Sequence, residues 1–172
     1  TEAQLLPFLA RKTDRVPVVH SRGIPPSRAA LGPWILIEDV YAGSPACEGD
    51  PREIVRAKLT VERAVANDLP ALKALGVREL APLPGPLASA SRVLLHGDLR
   101  CAHAWRVERG VVLSGWRRAA LGPGALDVAM LVGDLEHAGR RADAEAVRDV
   151  YIAESAERSA SDLLAAAVRA LN

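Results

Sequence analysis

Apolar residues recur with helical spacing over much of the chain. Across residues 51–76 they return every three or four positions, from Ile54 to Leu69, which predicts a helix that is broken near Pro70. From Ala125 onward, three further segments show the same spacing. The pattern predicts an α+β fold that is mostly helical, with a small sheet ahead of a helical bundle.

Short apolar runs predict the strands of that sheet. Residues 15–21 (RVPVVHS) and 33–40 (PWILIEDV) flank a loop rich in Pro and Gly, and together they predict a hairpin. Residues 92–98 (RVLLHGD) and 110–116 (GVVLSGW) predict two buried strands on either side of a turn at 109–110.

The run at residues 33–40 has the properties of an exposed strand edge that another segment must cover. From Trp34 to Ile37 it has high strand propensity, and it carries no charge before Glu38. Proteins normally cover such an edge, because exposed strand groups pair with other chains. We therefore predict that residues 16–40 are buried against a protein partner, either a second copy of the chain or another protein.

Composition narrows the class of protein. The chain has 172 residues, of which 49% are hydrophobic, so it can bury a real core. A formal net charge of +1 gives no general attraction to nucleic acid or to an anionic membrane, and the longest apolar runs are too short to cross a bilayer. We expect neither partner. Nineteen of the 22 basic residues are Arg, a bias typical of a high-GC bacterial genome.

The two cysteines, Cys47 and Cys101, lie far apart in the sequence and outside any C-x-x-C pair. This spacing argues against a disulfide framework and fits a reducing compartment, which predicts a cytoplasmic protein. Cys101 and His103, with His96 and Asp98 nearby, also allow a soft metal site of the zinc type. No second ligand pair with zinc spacing supports that alternative.

The segment 93–131, VLLHGDLRCAHAWRVERGVVLSGWRRAALGPGALDVAML, resembles the aminoglycoside phosphotransferase and choline kinase family, which shares its catalytic core with protein kinases. That family has H-G-D-x-x-x-x-N, a hairpin, an apolar strand ending in Asp-Trp, then Gly-Asp-Pro and a helix that opens with Leu-Asp. The order and spacing match here. The resemblance implies a kinase-like fold with residues 1–45 as a remnant of the N-lobe and hinge. Residues 46–172 would form a helical C-lobe, with its catalytic-loop-like hairpin at 93–116.

The resemblance also implies roles for single residues. His96 falls on the catalytic-loop His, which braces the loop, and Asp98 falls on the candidate general base. His103 stands at the position of the metal-binding Asn and Gly115 at that of the metal-binding Asp. Asp127 stands at the start of the following helix.

Upstream, residues 1–12 resemble the helix that carries an ion-pairing Glu, here Glu2, and residues 34–40 resemble the hinge strand. No Gly-rich loop or strand Lys precedes that helix in this sequence, so Glu2 is expected to lack its partner. The lysines are Lys12, Lys58 and Lys73.

These departures affect the expected chemistry. Mg²⁺ prefers oxygen ligands, whereas His103 offers an imidazole and Gly115 no side chain. The sequence therefore predicts no metal and no cofactor. Asp98 is either a general base or, as we favour, a structural residue whose carboxylate accepts hydrogen bonds from loop amides.

The favoured function is a catalytically degenerate phosphotransferase homologue, a pseudokinase that acts as a binding or scaffold module. The alternative is an ATP- and Mg²⁺-dependent phosphotransferase for small molecules or peptides, whose nucleotide lobe is supplied upstream or by another chain. A third hypothesis is a metal-independent protein that binds an anionic small molecule through Arg100, Arg117 and Arg118. The same arginines also fit an ordinary solvated surface.

Overall fold

A computed structural model describes residues 2–23 and 33–171 of the chain. Within these residues the chain forms six α-helices and eight short strands. The helices are α1 (Glu2–Leu9), α2 (Arg52–Ala64), α3 (Leu69–Ala74), α4 (Ala125–His137), α5 (Arg141–Glu154) and α6 (Ala160–Leu171). The α+β architecture that the sequence predicts is confirmed.

Three small sheets contain the strands. The first pairs β1 (Val19–Gly23) with β2 (Trp34–Ile37). The second has the order β3 (Ser44–Pro45), β6 (Ala104–Val107) and β7 (Gly110–Leu113). The third has β8 (Ala120–Pro123) at its centre, parallel to β4 (Arg78–Glu79) and antiparallel to β5 (Arg92–Leu95).

Helix α4 lies at the centre of the core. It packs against α5 and α6, and Val128, Leu131, Val132 and Leu135 are fully buried. Its high apolar content follows from this position, because a helix that is covered on several sides needs few polar residues. Among the described residues, no helix combines the length and apolar character needed to cross a bilayer.

The predicted helix at 51–76 is two helices in the structure. Pro51 precedes α2, where its missing N–H is tolerated, and Pro70 lies in the first turn of α3. The break near Pro70 was expected. The helix between these points buries Ile54, Val55 and Val61 against the core.

The strand predictions are correct in position but incomplete in pairing. β1 and β2 form the expected antiparallel hairpin, and the predicted loop at 24–32 lies outside the described residues. β7, however, pairs with β6, and β5 pairs with β8. The sequence did not reveal β6 or β8. β8 is buried along its whole length and contains Gly and Pro, so it shows neither alternation nor strand composition.

The outer hairpin exposes one apolar face. Trp34 and Leu36 of β2 are 47% and 58% exposed, and Val18 ahead of β1 is 45% exposed. Ile35 and Ile37 point the other way and pack against the core. Cover of this hairpin by a partner stays a prediction.

The cysteine prediction is wrong, because Cys47 and Cys101 form a disulfide with a Cα–Cα distance of 5.4 Å. β3 pairs with β6, which brings the two segments together across 54 positions of sequence. The cysteines therefore give no argument for a reducing compartment, and the cytoplasmic location stays a prediction. Cys101 is also not available as a thiolate ligand, which removes the zinc alternative.

Candidate functional site

The loop after β5 is held by a carboxylate from α4. Asp127 is completely buried, and its two oxygens accept hydrogen bonds from the backbone N–H groups of His96 (2.7 Å) and Gly97 (2.9 Å). Gly97 has a φ of +79°, which favours glycine. The role of amide acceptor, which the sequence predicts for Asp98, belongs to Asp127 in the structure.

The His96 side chain connects this loop to β7. Its ring is 1% exposed, and Nε2 lies 2.7 Å from the backbone oxygen of Ser114. Because a carbonyl only accepts, Nε2 carries a proton. Burial lowers the pKa of His96 below its ordinary value, so the ring is neutral near pH 7. The imidazole lies beside the buried Trp116 ring, with the centroids 4.8 Å apart.

The Asp98 side chain, which is 21% exposed, faces a guanidinium group. Nε of Arg100 lies 2.8 Å from Oδ1 of Asp98 and forms an ion pair with it, and this oxygen accepts no hydrogen bond from the described residues. The backbone oxygen of Asp98 is 2.8 Å from Nδ1 of His103. A substrate hydroxyl would therefore have to compete with Arg100 for this carboxylate.

His103 fills the space beside Gly115. Its ring is fixed by the contact of Nδ1 with Asp98, and its backbone oxygen accepts a hydrogen bond from the N–H of Ser114 at 2.9 Å. A Cβ atom on Gly115 would lie 3.1 Å from Cδ2 of His103 and 3.5 Å from its Nε2. The ring would have to shift by a few tenths of an ångström for a side chain to fit at position 115, where the φ of +79° also disfavours one.

His103 and Gly115, which the resemblance assigns to the two metal-binding positions, do not fit Mg²⁺. Neither supplies a side-chain oxygen, and one ring nitrogen of His103 is already engaged. Within residues 2–23 and 33–171, no group of three His, Cys, Asp or Glu side chains is arranged to hold a metal ion.

Glu2 has a partner, contrary to expectation. Its Oε1 accepts a hydrogen bond of 2.8 Å from the backbone N–H of Trp116. The first turn of α1 is thereby tied to the residue that follows Gly115. The expected partner was a Lys, whereas the observed donor is a backbone N–H, which cannot be recognised from the sequence.

An ion pair that the sequence did not predict links Glu38, directly after β2, to the turn between β6 and β7. Arg109 makes a bidentate pair with Glu38, at 2.7 Å between Nη1 and Oε1, and it donates to the backbone oxygens of Asp14 (3.0 Å) and Val16 (3.3 Å). Hydrogen bonding to Arg109 lowers the pKa of Glu38. The guanidinium group therefore joins three separate segments.

A second missed pair lies under the start of α4. The Lys58 side chain is 2% exposed and bonds both the Glu62 carboxylate and the backbone oxygen of Gly124, the latter at 2.9 Å. Burial raises the pKa of Glu62. Tyr151 packs over the ammonium group, with its ring centroid 5.8 Å away.

The predicted anion-binding arginines do not form one cluster. Arg100 pairs with Asp98 and lines a cavity beside Asp134 and His137. Arg117 and Arg118 line a different cavity.

The arrangement of loop, hairpin and helices is that of the kinase-like phosphotransferases, and the fold expected from the sequence is confirmed. An aminoglycoside 3'-phosphotransferase of type VIII is similar in structure, with a TM-score of 0.61 and 18% identity over 95% of this chain and 76% of that one. The GDP complex of wild-type aminoglycoside 2'-phosphotransferase-IIIa has a TM-score of 0.55 and 14% identity, over 99% of this chain and 79% of that one.

A choline/ethanolamine kinase family protein from Mesorhizobium loti is also similar, with a TM-score of 0.54 and 16% identity over 95% of this chain and 68% of that chain. No protein-family model and no curated protein sequence matches this chain. At these identities the likeness shows the fold.

Proposed function

We propose that this chain is a catalytically degenerate phosphotransferase homologue, a pseudokinase that serves as a binding module. The observation that carries the proposal is the packing of His103 against Gly115. Phosphoryl transfer relies on Mg²⁺ held by oxygen ligands, and an imidazole ring lies where such ligands would be needed.

The state of Asp98 supports the same function. A general base must accept a proton from the substrate, but this carboxylate is paired with Arg100 at 2.8 Å. Hydrogen bonds of Asp127 and His96 nevertheless hold the loop in a fixed conformation. The loop then serves as a rigid scaffold for binding.

The retained loop also favours one alternative. An active ATP-dependent phosphotransferase, with its nucleotide lobe supplied upstream or by another chain, would use Asp98 as base and Glu2 close to the phosphates. Docking of that lobe would have to move His103 and free Asp98 from Arg100.

Binding of ATP to this chain tests the pseudokinase proposal, and the alternative predicts binding only when the separate nucleotide lobe is present. Calorimetry with ATP and Mg²⁺, together with a turnover assay on hydroxylated substrates, should show no metal-dependent binding and no product. The Asp98→Asn variant is the control, because it removes the base and keeps the shape. Metal-dependent binding in the micromolar range, or turnover that this variant abolishes, would overturn the proposal.

The interaction surface of the module is the exposed face of the β1–β2 hairpin, formed by Val18, Trp34 and Leu36. We propose that a second copy or another protein covers it. Light scattering on the purified chain tests self-association, and Leu36→Lys should abolish it. Ser161→Lys is the matched control, because Ser161 is also exposed and lies in α6, outside the hairpin. A wild-type chain that stays monomeric at high concentration excludes the second copy.

A further inference from the structure

We propose that Arg78, Arg117 and Arg118 form a binding site for the phosphate group of a small phosphate monoester. The three side chains line one cavity of about 190 Å³, together with Leu5, Gly76, Val77, Trp116 and Ala119. No carboxylate of the described residues lines it. The site refines the sequence-based anion hypothesis by replacing Arg100 with Arg78, and it does not depend on the loss of catalysis.

The arginines of this cavity differ from neighbouring arginines in their lack of a carboxylate partner among the described residues. In the segment 92–118, four arginines face a carboxylate in the structure: Arg92 with Glu79, Arg100 with Asp98, Arg106 with Glu53, and Arg109 with Glu38. Arg117 and Arg118 have no such partner among residues 2–23 and 33–171, and neither has Arg78. Arg117 and Arg118, which have no carboxylate partner among the described residues, thus line the same cavity as Arg78.

Two different elements bring the arginines together on a fixed backbone. β4 runs parallel to β8, and Arg78 is in register with Ala120, two residues after Arg118. Arg117 and Arg118 belong to the short helical turn after Gly115, which is held by the bond from the Trp116 N–H to Glu2. A ligand would therefore meet a prearranged backbone, which lowers the entropic loss on binding.

The chemistry of the lining indicates a phosphate. Arg presents a planar fork of donors that matches phosphate and carboxylate oxygens, and three such forks suit a dianion better than a single carboxylate. The cavity is smaller than the roughly 300 Å³ at which sites for drug-sized ligands begin. It accommodates a phosphate group and a short stem.

The site borders the loop that carries Asp98. A Cβ atom at Gly97 would collide with the backbone oxygen of Arg118, so the two backbones are in direct contact. A bound phosphate that immobilises Arg118 should therefore also slow hydrogen exchange at Gly97.

Titration of the isotope-labelled chain, followed by NMR at constant ionic strength, tests the site. The probes are glycerol phosphate, inorganic phosphate and acetate. We expect saturable shifts of the Nε signals of Arg78, Arg117 and Arg118 with both phosphate probes and none with acetate. Each Arg→Ala change should weaken binding about tenfold or more.

Arg141→Ala is the matched control, since Arg141 is also exposed and lies in α5 outside the cavity. Unchanged melting temperatures show that the variants fold. Shifts that do not saturate, acetate binding as tight as phosphate, or an equal effect of Arg141→Ala would overturn the site. None of these outcomes bears on ATP binding, so this inference and the pseudokinase proposal can fail separately.

Discussion

Removal of the Cys47–Cys101 disulfide should lower stability substantially. The bond closes a loop with a sequence separation of 54, and it joins the segment after β3 to the loop between Asp98 and His103. In the chain-entropy model, closing a loop of this length raises the free energy of the unfolded chain by about 4 kcal/mol. The double variant Cys47→Ser, Cys101→Ser should therefore unfold at a much lower urea concentration than the wild-type chain.

Urea unfolding followed by circular dichroism measures the difference, and wild-type chain treated with a dithiol is the control. Both the variant and the reduced chain should lose stability by similar amounts. A thiol titration of the unfolded, unreduced chain should find no free thiol. Two titratable thiols, or equal stability of the oxidised chain and the double variant, would refute the reasoning.

Three further predictions concern buried polar groups. Asp127→Asn should destabilise the fold by about 2–4 kcal/mol in urea unfolding, because one of two buried loop amides loses its acceptor, whereas Asp98→Asn should change stability by less than about 1 kcal/mol. Equal effects would contradict these roles. The lowered pKa of His96 means that the unfolded chain binds a proton more readily, so stability should fall as the pH drops below about 6.5, and His96→Gln should flatten that slope in melts across pH 5 to 7. Lys58→Met leaves Glu62 buried without its cation and should cost about 3–5 kcal/mol, while the double variant with Glu62→Leu should recover most of it. A double variant as unstable as the single one would show that packing, not charge, is responsible.

The sequence predicts the loop after β5 and the helices α2 and α4 well, because residues close together in the sequence determine them. His96, Asp98 and Asp127 occur at the spacing of a catalytic loop and its following helix, and apolar periodicity marks α2 and α4. In the structure, Asp127 of α4 bonds to the loop that carries His96 and Asp98.

Contacts that arise from strand pairing were not predictable. The disulfide depends on the pairing of β3 with β6, and the approach of Arg78 to Arg118 depends on β4 lying beside β8. Each of β3 and β4 has two residues, too few for any periodicity. The role of Asp127 was missed for a related reason, since its partners are backbone amides about 30 positions away.

The close contact between His103 and Gly115 restricts which substitutions this site accepts during evolution. A carboxylate introduced at position 115 would meet a ring held in place by the Asp98 backbone, at a residue whose φ of +79° already disfavours a side chain. The ring would have to shift by a few tenths of an ångström to admit that side chain. A magnesium site here would therefore require changes at both positions, because neither His103 nor Gly115 supplies a side-chain oxygen.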